Sequence, residues 1–470
     1  MIVSPTRTFR PRLFSALLAL LFAAGITSSA LAAVSAETWK AGTGKENITP
    51  KEPLWMTGYA FRTRPATEKA QDLWVKALAF EDPSGRRGVI ITADLCGITR
   101  ELSDQVAAEL GKRFSLPRSA VMTNASHTHS SPWLEGNLMG LRLFSPEDMK
   151  RLVTYRLRVA VSMIAAATQA LKALAPATLA TGEGEATFGF NRRNNSATQV
   201  TALRAAGKLR GPNDDRVPIL TVKNASGKLV AVLLSYACHN TTLSGYEWHG
   251  DYAGCAQAEI EKRHPGATAL FATGCGADLN PFPRGEIAHA EAHGRALADT
   301  TDRVLAGTLR PISGRFASAM SDLPLTFSRT PTEEELRTQR EKEQPFKEMY
   351  QAWSHVVEED MRKRGPAVLD YAYPIQAWQL GSLTWVALGG EVVVDYALRF
   401  KKELGPDAWI FAYSTDVMAY IPNERILQEG RYEGDTSMIV YGKPAKWTAG
   451  LEDRIVTRTH ELVKEVRAEK

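Results

Sequence analysis

The chain has 470 residues, of which 44% are hydrophobic and 23% charged, and a formal net charge of +5 at pH 7. This composition excludes a disordered chain and supplies enough apolar surface for a large core. Three of the positive charges are Arg7, Arg10 and Arg12, with no acid among the first 32 residues. The remaining chain is therefore nearly balanced at +2. It carries no basic stripe interleaved with aromatics, so no nucleic-acid partner is expected.

The N-terminus reads as a signal peptide over residues 1–32. A basic start precedes Leu13–Ile26, an apolar run too short to span a bilayer comfortably, and Ala30-Leu31-Ala32 has the small-x-small cleavage pattern. The expectation is an exported protein, secreted or periplasmic, cleaved near Ala32. Gly88–Ala93 is a β-branched strand, Arg100–Lys112 a helix and Ala120–Ala125 the next strand. Ser145 caps a helix with Pro146 at its first position and acids in its first turn, running to about Leu174. Val217–Val222 and Leu229–Tyr236 read as strands joined by a turn, and Asp251 as the cap of a helix to about Arg263. A strand over Ala267–Ala272, a glycine-rich loop and a helix over Glu286–Leu305 follow.

Thr332-x-x-Glu335 is a capping box that opens a charged helical segment, interrupted by Pro345. Residues 331–364 therefore read as an inserted helical segment, either a lid or, as the plainer reading, a solvated surface hairpin. Leu383–Leu388 is a strand whose Gly389-Gly390-Glu391 turn leads into a helix that ends before Gly405-Pro406. Trp409–Tyr413 is a strand and Leu451–Val466 the last helix. The alternation predicts an α/β fold with mixed sheets flanked by helices, and residues 33–470 as one domain.

Several chemically capable residues fall at strand ends. His127-Thr128-His129 follows a strand and puts two imidazoles on one side of an extended chain. His239 closes the strand that begins near Leu229, where α/β proteins place their sites. Glu391 sits on a glycine turn that allows close backbone approach. Tyr420 and Tyr432 lie in a late polar run. His289 and His293 have i, i+4 spacing, but the order HAEAH misplaces the glutamate for a zincin. Cys96, Cys238, Cys255 and Cys275 form no CxxC pair, and free thiols and a disulfide both stay open.

Taken in order, N-I-T-P at Asn47–Pro50, M-x-G-Y at Met56–Tyr59, H-T-H-S at His127–Ser130, F-x-F-N-R at Phe188–Arg192, the strand ending in His239, the loop Gly274–Pro281, G-E at Gly390-Glu391, and Y-I-P before Y-E-G resemble the N-terminal catalytic domain of the neutral, non-lysosomal ceramidases. The resemblance runs from about Ala41 to Gly442. It implies one zinc per chain held by His127, His239, Glu391 and Tyr420, with His129, Arg192 and Tyr432 facing the substrate. It further implies a zinc-activated water cutting the amide of ceramide or a related N-acyl lipid, with peripheral membrane contact. Asn280 stands where the family carries a serine, which excludes a serine nucleophile there. Ceramidases continue into a β-rich C-terminal domain, whereas here a helix follows soon after Gly442. The alternatives are a zinc hydrolase of a non-lipid amide, N-acetyl sugar or lactone, and a non-catalytic exported binding protein.

Overall fold

The computed structural model describes residues 1–6, 38–365 and 370–469; the apolar run of the expected signal peptide and its cleavage site near Ala32 lie outside the described residues. Residues from Trp39 onward form one compact unit. Its large sheet contains β1 (Trp39–Asn47), β2 (Trp74–Glu81), β3 (Arg87–Ala93), β4 (Val121–Ala125), β5 (Ala175–Glu185), β6 (Arg216–Asn224), β7 (Leu229–Tyr236), β8 (Thr268–Thr273) and β9 (Arg310–Ile312). The spatial order is β8-β7-β6-β5-β1-β2-β3-β4, with β9 also on β5. The inner pairs are antiparallel, whereas β3–β4 and β7–β8, at the two ends, are parallel. A second sheet contains β10 (Phe316–Thr326), β11 (Asp370–Leu380), β12 (Leu383–Leu388) and β13 (Ala408–Phe411), and its β12–β13 pair is parallel.

Each parallel pair within these two sheets needs a crossover, and each has a helix: α1 (Arg100–Phe114) between β3 and β4, α3 (Asp251–Arg263) between β7 and β8, and α7 (Val394–Leu404) between β12 and β13. The long α2 (Pro146–Lys172) is capped by the Ser145 hydroxyl, which accepts from the Asp148 N–H. Its stripe of Leu152, Val159, Met163 and Ala166 is fully buried. Helix α2 lies so close to β1 that a Cβ at Gly44 would come 2.1 Å from the Ala166 carbonyl oxygen, so only glycine fits. The other helices of nine or more residues among the described residues are α4 (Ile287–Ala306), α5 (Glu333–Glu341), α6 (Lys347–Arg364) and α8 (Leu451–Ala468). No described helix is long and apolar enough to cross a membrane.

The mixed α/β architecture expected from the sequence is the one observed. The Thr332–Glu335 capping box is formed, and the chain breaks at Pro345 between α5 and α6. This hairpin is more anchored than a solvated one. Leu336, Trp353 and Val357 are buried together against Ile439, and the Trp353 indole donates to the Lys443 carbonyl at 2.7 Å.

Three details differ from the sequence reading. Gly250, not Asp251, occupies the cap of α3, because the Asp251 carboxylate is engaged by the N–H groups of Leu243 and Tyr252. The strand expected to reach Tyr413 stops at Phe411, since Tyr413 and Thr415 adopt φ of 50° and 66°. Strands β1, β2, β5, β10 and β11 carried no distinct local signal: β5, APATLATGEGE, is rich in residues of low strand propensity and is held by neighbours on both sides. All four cysteines are free thiols.

Candidate metal centre and active site

The carboxyl ends of the three parallel pairs converge. Asn124, at the end of β4, joins them: its amide donates to the Ala412 carbonyl at 2.7 Å and the Ser414 hydroxyl at 3.1 Å, while its oxygen accepts from the Thr273 N–H at 2.9 Å. The Thr273 hydroxyl in turn donates to the Ala125 carbonyl at 2.7 Å. His127, His239 and Glu391, each just beyond a strand of a different pair, are thereby brought to one point. Gly390 is needed in that turn, with φ at +76° and a hypothetical Cβ 2.6 Å from the Ala419 carbonyl oxygen.

His127 Nε2 lies 3.3 Å and His239 Nε2 3.1 Å from the same Glu391 oxygen, Oε2. All three side chains are buried. The other ring nitrogen of each histidine is committed: His127 Nδ1–H donates to the Cys96 carbonyl at 2.6 Å, and His239 Nδ1–H to the Gly276 carbonyl at 2.8 Å. A carbonyl only accepts, so each Nδ1 carries a proton, and the neutral ring then presents a lone pair at Nε2. Two imidazole lone pairs and a carboxylate oxygen aimed at one another repel unless a proton or a metal ion lies among them. This donor set fits a divalent metal ion, with backbone carbonyls fixing the histidine tautomers as metal sites commonly do. The Tyr420 hydroxyl, 3.2 Å from His239 Nε2, joins the group because Tyr420 pairs in register with Glu391.

Two further tyrosines hold the carboxylate. Tyr441 donates to Glu391 Oε1, and Tyr413 reaches Oε2 at 3.5 Å. With Oε1 occupied, Oε2 alone faces the imidazoles. Tyr441→Phe is expected to weaken metal binding by about 10- to 100-fold, the usual cost of losing such a supporting partner; a metal titration of the variant checks it, and unchanged affinity would show Tyr441 to be a packing residue.

Around this core the remaining expected residues assemble. His129 Nε2 lies 3.1 Å from His127 Nε2, and burial together with the His127 charge holds the His129 pKa well below 6.5. Arg192 donates to the Tyr420 hydroxyl at 3.1 Å, Asn280 Oδ1 at 3.2 Å and Glu433 Oε1 at 2.9 Å. Burial opposes the Arg192 charge, but Tyr420 and Glu433 outweigh it and keep the guanidinium charged. Tyr432 packs on Tyr420 with ring centres 5.2 Å apart and is 43% exposed, which places it at the mouth. Without a metal, burial lowers the His127 pKa but the Glu391 charge overrides it and raises it to about 10, while burial and Arg192 push His239 down to about 4.

His293 belongs elsewhere: it donates to the Pro283 carbonyl at 2.7 Å and stacks on Phe188. Neither it nor His289 joins the convergent group among the described residues. Residues missed by sequence reasoning are Tyr413, Tyr441, Glu433 and Asn124. Glu433 adjoins Tyr432 and clamps both Arg192 and Arg193, so its neighbours were a usable signal; Tyr441 had none.

Fold and site together define a mixed α/β protein with a buried cluster of two histidines and one carboxylate that could hold a metal ion, at the ends of three βαβ units. The family model for neutral/alkaline non-lysosomal ceramidase, N-terminal, matches residues 39–293. The chain belongs to that family. It is similar to neutral ceramidase A of Dictyostelium discoideum, at 24% identity over 246 residues, half of this chain and 34% of the relative; the match thus spans about a third of that relative's length. Among solved structures, that of neutral ceramidase from Pseudomonas aeruginosa aligns with a TM-score of 0.71 at 18% identity, covering 92% of this chain and 75% of that one. A ceramidase complexed with C2 aligns with a TM-score of 0.69 at 17% identity over the same shares. At these identities the structural likeness is one of fold. It extends that likeness past the region matched by the family model.

Proposed function

We propose that the chain is an exported zinc-dependent amidohydrolase that cleaves the N-acyl amide bond of ceramide or a related N-acyl lipid, with one zinc per chain. The observation that carries this reading is the convergence of His127 Nε2, His239 Nε2 and Glu391 Oε2, with Tyr420 beside them and both imidazole tautomers fixed. Family membership supports hydrolysis, and the apolar substrate class accords with peripheral contact with a lipid surface.

His127, His239, Glu391 and Tyr420 would hold the zinc, which would supply a water acidified toward ~7 and a Lewis acid for the amide carbonyl. The chain's own residues supply the rest. His129, kept neutral, accepts a proton at Nε2 and returns it to the leaving amine. Arg192 fixes the Tyr420 hydroxyl and is itself fixed by Glu433. The Tyr432 hydroxyl, at the open side, donates to the oxyanion. Asn280 offers no nucleophile and serves to orient Arg192.

The test is release of free sphingoid base from ceramide, abolished by a chelator and restored by zinc. Cleavage of soluble amides alone would sink the lipid reading, and a metal-free, silent protein would favour a binding role. Tyr432→Phe should lower kcat by about 10²–10³-fold with zinc content unchanged, the scale of a lost oxyanion donor; a rise in KM alone would reassign it to binding. His289→Ala, outside the site, should leave both zinc content and turnover at the wild-type level; an emptied pocket in that variant would overturn the metal assignment.

A further inference from the structure

The loop that leaves the site toward solvent carries an arginine for which the reaction above has no use. Asn280 holds one end of this loop against Arg192. At the other end Arg284 donates to the Tyr59 hydroxyl at 3.0 Å, and that hydroxyl donates to the Leu243 carbonyl at 3.2 Å. The Tyr59 ring meets the His129 ring edge-on at 4.7 Å. Gly58 lets them approach, since a Cβ there would lie 2.3 Å from the imidazole. Arg284 is thus one aromatic ring away from His129, half-buried on the rim.

Its charge is uncompensated. Arg192 and Arg193 are both clamped by Glu433, whereas Arg284 has no carboxylate within ion-pair distance among the described residues. A second guanidinium, Arg62, lies 5.0 Å from the centre of the same Tyr59 ring. Arg62 is buried with only carbonyl partners, those of Thr57, His129 and Gly245, and its Nε has none. Asp251 is the acid whose charge reaches Tyr59, but its oxygens are taken by the Leu243 and Tyr252 N–H groups. Two arginines around one tyrosine, with no acid to meet them, leave a positive patch beside the reacting centre. An arginine free to form charge-assisted hydrogen bonds selects planar or tetrahedral anions.

We infer that Arg284, backed by Tyr59 and Arg62, is an anion subsite, and that the preferred substrate is an N-acyl amide whose amine half carries an acidic group. This rests on the hydrolase reading above and narrows its substrate class. The acid is a carboxylate, as in an N-acyl amino acid, or a sulfonate or phosphate of a head group; the subsite chemistry is shared.

Calorimetric binding of N-dodecanoylglycine, N-dodecanoyltaurine and neutral N-dodecanoylethanolamine to the whole protein tests it without requiring turnover. The two anionic amides should bind about 10- to 100-fold tighter than the neutral one, the scale of a hydrogen bond to a charged group. Arg284→Gln should abolish that difference, and Arg284→Lys should restore part of it. Equal binding of all three by the wild type, or a preference that survives Arg284→Gln, would overturn the subsite. The sulfonate separates the arginine from direct metal ligation: a preference confined to the carboxylate and indifferent to Arg284 belongs to the metal. Failure to cleave any of the three, with the anion preference intact, would instead count against the hydrolase reading.

Discussion

His239→Ala should lose bound zinc and amide hydrolysis together, with turnover falling to background, while the fold persists. His239 contributes one of the two imidazole lone pairs and lies against Tyr420 and Arg192, so its loss removes a ligand and opens the pocket where the others meet. His127, Glu391 and Tyr420 remain, but without the second imidazole they hold a divalent ion far more weakly than the full set does. The fold should survive because His239 lies in a loop beyond β7, and the apolar clusters around both sheets do not include it. Elemental analysis, ceramide turnover and circular dichroism of the same preparation decide the matter. Stoichiometric zinc in the variant would place the metal elsewhere; a collapsed dichroism spectrum would make His239 a folding residue.

Zinc affinity should rise steeply with pH, by roughly tenfold per unit, across the range in which His127 is protonated in the metal-free protein. Burial opposes that proton but Glu391 keeps it, raising the His127 pKa to about 10. His239, pushed down to about 4, and Glu391, held well below 4.5, have no proton to release near neutrality. One proton therefore leaves per ion bound, and apparent affinity at pH 8 should exceed that at pH 6 by about 100-fold. The same proton governs the stability of the metal-free fold. Because the folded pKa lies above the unfolded 6.5, its contribution is complete below 6.5 and is lost as pH rises toward 10. Chelated protein should accordingly lose thermal stability between pH 7 and 10, whereas the zinc form should not. Competition with a chromophoric chelator at several pH values measures the first, and melting curves the second. A pH-independent affinity would mean that His127 is already deprotonated before metal arrives.

Much of the site is legible in the amino-acid sequence. His127, His239 and Glu391 each announce themselves as polar residues directly after an apolar strand, and such strands and turns are written in a few adjacent residues. The decoy pair at 289 and 293 was also separable by its order within the helix. The supporting tyrosines were not: Tyr413 and Tyr441 sit in segments without a local pattern, and their role follows only from lying against Glu391. The same holds for Arg284, which has no meaning in sequence until Tyr59 and His129 are placed beside it.

What the sequence determined by itself was therefore the set of local elements: the βαβ units, the capped helices, and a polar side chain at each strand's carboxyl end. The tertiary structure decided that those ends meet. Residues far apart along the chain converge because Asn124 and Thr273 tie the two edges of the large sheet to the segment after β13, and such pairings depend on contacts between distant segments that no local pattern records.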